Sequence, residues 1–227
     1  MNIVYALTSN YVQKALPSMR SLLKFNPKAK IYLLTETNEV ESEIPLNVIN
    51  VSNQEYFTKD NCVNIKNNFG GYINLLKVCY PEILPVNKVI HLDADTIVNE
   101  SLEPIWKTDM TGKWVAAVPE YKGRYKPFGP MYYNMGVALL NLAQLRKDNI
   151  VPWMVEYLRG VKQPFADQDA FNKPGIEQDK MVPLDVRWNE NFATGFTDNP
   201  AIVHYCGRFD WYENPKVYRH EYLEKYV

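Results

Sequence analysis

Short apolar runs typical of β-strands alternate along this chain with stretches of helical periodicity, and this alternation constrains the fold most strongly. A run at residues 2–8 leads into a helical pattern at 12–25, and a second strand is predicted at 30–35. Strands that alternate with helices favour a mostly parallel sheet covered by helices. We therefore predict an α/β fold with a Rossmann-like, mixed but mostly parallel sheet flanked by helices.

The same patterns predict the remaining elements. The apolar runs indicate strands at 48–51, 88–92, 114–118, 137–142 and 201–204. Helical spacing indicates helices at 70–80, ended by Pro81, and at 150–158, 168–171 and 218–226. Segments 52–68 and 119–133 lack periodicity and are predicted as loops that wall a binding pocket.

Length and composition bound the class of protein. The 227 residues suit one domain, and 25 basic against 26 acidic residues leave a formal charge of -1. This balance predicts no general attraction for nucleic acid. The three cysteines form no CxxC pair, which argues against a zinc knuckle or a disulfide framework. No secretory leader or apolar span is apparent, so we expect a cytoplasmic protein.

Two carboxylates follow the strand predicted at 88–92. Asp93 and Asp95 are separated by one residue, so in extended chain they point to the same side. At the carboxyl end of a parallel strand, where open α/β sheets bind ligands, such a pair repels itself unless a cation lies between. The pattern predicts a divalent metal site; the alternative is that Asp95 caps a turn and Asp93 is solvated.

His204 follows another apolar strand and is a candidate third ligand. An Asp, Asp and His set favours Mn²⁺, because imidazole is a softer ligand than oxygen, with Mg²⁺ as the alternative ion. A hydrogen-bonded structural histidine is the other interpretation of His204. His91, inside its strand, and His220, in the tail, are assigned no role.

Five motifs taken together resemble glycosyltransferase family 8, which includes glycogenin and bacterial lipooligosaccharide galactosyltransferases. They occur in the family's order between about Ile3 and Trp211, nearly the whole chain. The motifs are Ala6-Leu7-Thr8-x-x-Tyr11, Leu92-Asp93-Ala94-Asp95-Thr96, Asn134-Met135-Gly136-Val137, Asp167-Gln168-Asp169-x-x-Asn172 and His204-Tyr205-x-Gly207-Arg208.

The resemblance implies a single GT-A domain at residues 1–227, with a mainly nucleotide-binding half at 1–100 and a mainly acceptor-binding half and tail at 101–227. It implies a retaining, metal-dependent enzyme that moves a hexose of the glucose or galactose type from a UDP-sugar, such as UDP-glucose, to a glycan, a glycoconjugate or another hydroxyl acceptor. Asp93, Asp95 and His204 would hold the metal, and Asp167 and Gln168 would flank the reacting carbon. The donor-binding set carried over from the motifs is Ala6, Leu7, Thr8, Tyr11, Lys77, Asp93, Ala94, Asp95, Asn134, Gly136, Asp167, Gln168, His204, Gly207 and Arg208.

Each donor assignment has a plainer alternative. Tyr11 would stack on uracil, but it also suits a helix start. Lys77 occupies the place of a family basic residue, yet alone on a helix it would carry no meaning. Acidic residues around Gln168 would equally favour a helix N-terminus.

Retention at the sugar carbon needs either a nucleophile such as Asp167 or a front-face route in which the leaving phosphate acts as base. We favour the front-face route.

The closing motif departs from the family pattern. Where the family usually has a lysine that grips the diphosphate, this chain has Asp210, and a carboxylate does not bind phosphate. Arg208 or Lys216 could replace the missing cation. Without a replacement, donor affinity would fall or a different donor would be used. The missing lysine also leaves open the alternative of a catalytically weak or inactive nucleotide-sugar-binding module.

Two further expectations concern the alternatives and partners. A nucleotidyltransferase is a weaker alternative, because residues 8–14 lack the Gly- and basic-rich loop that holds a triphosphate. The tail at 212–227 is short and charge-balanced, which predicts no strong membrane attachment. The oligomeric state is not readable from the sequence.

Overall fold

The computed structural model describes residues 1–65, 71–120, 128, 131–207, 211 and 213–227. Its strands are β1 (Asn2–Ala6), β2 (Lys30–Thr35), β3 (Asn47–Asn50), β4 (Lys88–Leu92), β5 (Thr96–Val98), β6 (Val115–Pro119), β7 (Tyr133–Asn141), β8 (Met181–Pro183) and β9 (Ile202–His204). Its α-helices are α1 (Val12–Phe25), α2 (Tyr80–Ile83), α3 (Glu103–Trp106), α4 (Leu142–Lys147), α5 (Val151–Gly160), α6 (Asp167–Glu177) and α7 (His220–Leu223). Short 3-10 helices lie at Ser9–Tyr11, Leu75–Cys79 and Val186–Trp188.

Seven strands form one sheet in the order β3-β2-β1-β4-β7-β6-β8. Strand β7 runs antiparallel to both of its neighbours, whereas the other pairs in this sheet are parallel. The predicted mostly parallel sheet flanked by helices is therefore confirmed. Strands from both residues 1–100 and residues 101–227 share this sheet, and the division into donor and acceptor halves stays a prediction.

Each face of the sheet is buried against its own layer. On one face, Ile3 and Tyr5 of β1 pack in a cluster with Leu16 and Met19 of α1. On the other face, Val4 packs in a second cluster that includes residues of α4, α5 and α6. Alternate residues of a strand point to opposite faces, so the buried part of β1, from Ile3 to Ala6, is hydrophobic because both of its faces are covered.

A separate two-stranded sheet brings distant parts of the sequence to one place. Strand β5 pairs antiparallel with β9, and its register places Thr96 opposite His204. The backbone N–H of Tyr205 donates to the carbonyl of Asp95 over 2.8 Å. The pairing fixes the two acids and the histidine side by side, although β5 was not predicted from the sequence.

Two predicted helices differ from the structure. Instead of ending a helix at 70–80, Pro81 lies in the first turn of α2, where its fixed φ fits and its missing N–H costs nothing. The backbone before it, at Leu75–Cys79, is a 3-10 helix. The predicted tail helix is only one turn long, His220–Leu223, and it begins after Arg219, which has a left-handed backbone with φ of 59°.

Within the described residues, no helix is both long enough and apolar enough to cross a membrane.

Candidate functional site

A cleft of about 930 Å³ opens where β1 and β4 end, with the start of β7 at the same edge. The backbone N–H of Asp93 donates to the carbonyl of Gly136 over 2.7 Å, which ties the turn after β4 to β7. All of the predicted site residues line this cleft except Arg208, which lies outside the described residues. The lining residues among the predicted set are Ala6, Leu7, Thr8, Tyr11, Lys77, Asp93, Ala94, Asp95, Asn134, Gly136, Asp167, Gln168, His204 and Gly207.

Asp93, Asp95 and His204 converge in this cleft. One ligand atom from each lies within 4.8 Å of the others. Nε2 of His204 is 3.2 Å from Oδ1 of Asp95 and 3.7 Å from Oδ2 of Asp93. Two carboxylate oxygens and an imidazole nitrogen suit Mn²⁺ or another divalent ion of intermediate softness. A β-carbon on Gly136 would lie 2.7 Å from Oδ2 of Asp93, so the residues fit a metal only with glycine there.

The local field at these residues also favours a cation. Burial alone would lower the pKa of His204, but the carboxylates of Asp95 and Asp93 outweigh it and raise that pKa above its ordinary value. For Asp93, burial acts to raise the pKa, whereas Lys77 and the neighbouring histidines hold it well below its usual range. The acid is therefore ionised, as a metal ligand must be.

His91 holds Asp93 in place from inside β4. Its Nε2 is 2.8 Å from Oδ1 of Asp93, and its Nδ1 is 3.0 Å from the hydroxyl of Tyr80. Burial, together with nearby Lys77, lowers the pKa of His91 to about 4, so the ring is neutral near pH 7. A carboxylate only accepts, so Nε2–H donates to Asp93 and Nδ1 accepts from Tyr80. Oδ2 of Asp93 is left facing His204.

Lys77 bridges two of the acids. Its ammonium lies 2.9 Å from Oδ2 of Asp167 and 3.6 Å from Oδ1 of Asp93, and it donates to the carbonyl of Met135 over 3.2 Å. Burial lowers the pKa of Lys77, but the two carboxylates raise it on balance. The lysine is thus a buried, paired cation between the expected metal site and the expected reaction centre, and is not an isolated lysine on a helix.

A buried polar network orients Gln168 and Asn134. Oε1 of Gln168 accepts from the N–H of Met135 over 2.9 Å, and its Nε2 donates to Oε1 of Glu120 over 3.1 Å. The same Glu120 oxygen accepts from Nδ2 of Asn134 over 3.0 Å. Asp167 and Gln168 are the first two residues of α6, and Ala166 before them has a left-handed φ of 45° that turns the chain into the helix.

Another part of the cleft lining comes from the turn between β1 and α1. Tyr11 is the residue immediately before α1, in line with its interpretation as a helix start, and it also lines the cleft. Its contact with uracil stays a prediction. Its hydroxyl accepts from Nε1 of Trp211 over 3.4 Å, and the Lys14 ammonium lies 5.8 Å from its ring centre. Thr8 donates to Oδ1 of Asn10 over 2.6 Å.

The described residues include only part of the predicted pocket walls. Arg208 and Asp210 lie outside the described residues, as do 66–70, 121–127 and 129–130 of the predicted loops. Lys216 is exposed and is not among the described residues that line the cleft. Tyr132 and Tyr133 are buried, and the Tyr132 hydroxyl donates to Oδ1 of Asp169 over 2.5 Å, so both pack in the interior.

Sequence reasoning missed the residues that support the site. The sequence assigns no role to His91, and it does not point to Glu120 or to Asn189, whose Oδ1 lies 2.8 Å from Nδ1 of His204. The polar histidine inside an apolar strand was a usable signal for His91, since a buried imidazole needs partners. Asn189 and Glu120 carry no local signal, because their partners lie far away in sequence.

Comparison with solved structures identifies this architecture as the GT-A fold. The galactosyltransferase LgtC superposes with a TM-score of 0.73 at 20% identity, covering 99% of this chain and 94% of that one. The apo form of GlyE from Streptococcus pneumoniae superposes with a TM-score of 0.69, also at 20% identity, over 99% of this chain and 59% of that one. Likeness at this identity concerns the fold.

The glycosyl transferase family 8 model matches residues 2–211, and the chain belongs to that family. A putative glycosyltransferase of Haemophilus influenzae is 28% identical over 91% of this chain and 71% of its own length. General stress protein A of Bacillus subtilis is 28% identical over 65% of this chain and 62% of its own. GlyA, a glycosyltransferase of Streptococcus pneumoniae, is 27% identical over 89% of this chain, which spans only 31% of GlyA.

Proposed function

We propose that the protein is a retaining, metal-dependent glycosyltransferase that moves a hexose of the glucose or galactose type from a UDP-sugar to a hydroxyl of a glycan or glycoconjugate. The convergence of Asp93, Asp95 and His204 in a cleft of about 930 Å³ carries the proposal. Membership of family 8 supports it. So does the related LgtC structure, which was determined with donor and acceptor sugar analogs.

The three converging side chains would hold Mn²⁺, or Mg²⁺ in its place. A divalent ion at this position would supply positive charge for the diphosphate of the donor, so that UDP could begin to leave before its phosphate takes up a proton. The nucleoside would lie towards Ala6, Thr8 and Tyr11, with uracil against the Tyr11 ring. The metal and the nucleoside would then occupy neighbouring parts of the same cleft.

The donor sugar would lie against Asn134, Asp167 and Gln168. Both ends of the Gln168 amide are already engaged, by Met135 and Glu120. An amide held in this way is suited to positioning a sugar, and amide oxygen is a weak nucleophile. Asp167 is paired with Lys77 at 2.9 Å, which lowers the reactivity of the carboxylate that a double displacement would need.

These contacts favour a front-face route. The acceptor hydroxyl would approach on the side from which UDP departs and would give its proton to a phosphate oxygen of the leaving group. Lys77, buried between Asp167 and Asp93, would keep both acids in fixed positions during transfer. Trapping of a glycosyl adduct on Asp167, detected by mass spectrometry of the intact protein, would replace this route with a double displacement.

A donor panel tests the function. The purified chain is incubated with Mn²⁺ and individual UDP-sugars, including UDP-glucose and UDP-galactose, and released UDP is measured. We expect turnover with at least one UDP-hexose, abolished by chelation and by Asp93→Asn or Asp95→Asn. Binding of UDP-sugars with no turnover, even with a range of sugar acceptors, would support the inactive binding module instead.

A nucleotidyltransferase would be recognised in the same assay. It would release pyrophosphate from nucleoside triphosphates and leave UDP-sugars intact. Release of pyrophosphate from a nucleoside triphosphate, with the UDP-sugars left intact, would refute the proposed transfer reaction.

A further inference from the structure

Asn189 is a fully buried asparagine beside the three expected metal ligands. It follows the 3-10 helix Val186–Trp188, and none of its surface is exposed. Its side chain lies between two residues of the site: Oδ1 is 2.8 Å from Nδ1 of His204, and Nδ2 donates to Oδ1 of Asn134 over 2.9 Å. A buried amide in this position fixes the partners on both of its sides.

The direction of these hydrogen bonds follows from a backbone donor. The N–H of Gly136 donates to the Asn134 side chain over 3.1 Å, so the accepting atom must be the amide oxygen. Asn189 must then present its NH₂ group to that oxygen. The remaining end of Asn189, its carbonyl oxygen, therefore faces His204.

A second set of hydrogen bonds also assigns the Asn189 atom that faces His204 as oxygen. The N–H groups of Ala193 and Thr194 both donate to Oδ1 of Asn191, over 2.7 and 3.1 Å. The NH₂ group of Asn191 is thus the end that meets Asn189, and it donates to Oδ1 of Asn189 over 3.0 Å. Backbone donors on two sides assign the same atom of Asn189 as oxygen.

We propose that Asn189 is a positioning residue that keeps a hydrogen on Nδ1 of His204 and so reserves Nε2 for the metal. The carbonyl oxygen of Asn189 only accepts, so Nδ1 must donate to it. Nε2 is the atom that lies 3.2 Å from Asp95 and 3.7 Å from Asp93. Metal-binding histidines commonly donate their second N–H to a fixed acceptor in this way.

Asn189 also links the metal site to the expected sugar site. The same amide that faces His204 holds Asn134, and Asn134 donates to Glu120, which in turn accepts from Gln168. A single buried path of side chains thus joins a metal ligand to the residue expected beside the reacting carbon. The positioning role rests on the proposed metal-dependent function, whereas the hydrogen on Nδ1 does not depend on it.

Two substitutions and a matched control test this role. Asn189→Leu keeps the size of the side chain and removes both polar ends, and Asn189→Asp keeps an acceptor for Nδ1 of His204. Asn26→Leu is the control, because Asn26 is 5% exposed, bonds to Leu22 and Leu102, and does not line the cleft. All proteins are first checked for a cooperative unfolding transition.

The first readout is binding of Mn²⁺ alone, followed by the electron paramagnetic resonance of free Mn²⁺. We expect Asn189→Leu to weaken binding by about 10- to 100-fold relative to Asn26→Leu. Asn189→Asp keeps the acceptor for Nδ1 of His204 but loses the donor to Asn134, so it should bind Mn²⁺ more tightly than Asn189→Leu, an order that a purely structural role would not produce. Equal affinities in Asn189→Leu and Asn26→Leu would overturn the proposal.

The second readout needs no metal. Nitrogen-15 spectra of labelled histidine, recorded on the metal-free protein at a series of pH values, show whether Nδ1 of His204 carries hydrogen, whatever the state of Nε2 beside Asp95. Wild type should keep hydrogen on Nδ1, and Asn189→Leu should lose part of it once the ring is neutral. A wild-type Nδ1 that carries no hydrogen would refute the inference. Failure of wild type to bind Mn²⁺ would instead count against the proposed function.

Discussion

A β-carbon on Gly136 would lie only 2.2 Å from Cε1 of His204, far inside van der Waals contact. The same atom would be 2.7 Å from Oδ2 of Asp93. Both neighbours are expected metal ligands, and they reach Gly136 from β9 and from the end of β4. The backbone of β7 at Gly136 therefore packs directly against both expected ligands, and any side chain at position 136 would displace them.

Gly136→Ala should accordingly abolish or strongly weaken metal binding. We expect at least about tenfold weaker Mn²⁺ binding, of the size seen when ligand positions are disturbed, with a loss of about 1–3 kcal/mol of stability from overpacking. Gly160→Ala is the control, because its added β-carbon meets nothing within 4 Å. Wild-type Mn²⁺ affinity in Gly136→Ala would show that close packing of Asp93 and His204 against Gly136 is not needed for metal binding.

His91 should matter for metal binding through Asp93. His91→Phe removes the donor to Asp93, and we expect a loss of about tenfold or more in Mn²⁺ affinity. Tyr80→Phe removes only the outer bond, to Nδ1 of His91, and should cost less. Calorimetric titration with Mn²⁺ in the absence of nucleotide measures both. A larger effect for Tyr80→Phe than for His91→Phe would contradict this order.

Lys77 should stabilise the fold as well as the site. Lys77→Met leaves Asp167 and Asp93 without their buried cation, so we expect a loss of about 3–5 kcal/mol in the free energy of unfolding. Adding Asp167→Asn removes one of the two charges and should restore part of that loss. Urea denaturation followed by tryptophan fluorescence gives the values. A double variant less stable than Lys77→Met would argue against a charge effect.

Asp148 gives a pH-dependent contribution away from the cleft. Its pKa is lowered to about 2, first by the hydrogen bond from Gln144 and also by those from Trp114 and Lys180. Because the folded-state pKa is the lower one, the stabilisation is present above the unfolded value near 4 and is lost as the pH falls towards 2. Comparison with Asp148→Asn should therefore show a difference of about 1 kcal/mol at pH 7 that shrinks below pH 4. A stability difference that stays constant from pH 7 to pH 2 would exclude this mechanism.

The sequence predicted the parts of the site that local pattern encodes. Asp93 and Asp95 are separated by one residue, and an apolar strand leads into them, so their place at a strand end could be predicted directly. His204 could be proposed as a ligand for the same reason. The motif resemblance then predicted the family, which is confirmed, along with the GT-A fold.

What the sequence could not supply depends on distant pairing. Insertion of β7 between β4 and β6 places Gly136 under Asp93, and the β5–β9 register places His204 beside Asp95. Neither arrangement has a local periodicity, and β5 is only three residues long. The contacts of Asn189, Glu120 and His91 with the site residues likewise form only when these strands are paired in the observed register.

The most direct test of the account is equilibrium binding of UDP to the wild-type protein with saturating Mn²⁺ and, separately, with a chelator. We predict tight binding with Mn²⁺, a large loss on chelation, and the same loss in His204→Ala with Mn²⁺ present. UDP that binds equally well with and without the metal, and equally well to His204→Ala, would contradict it.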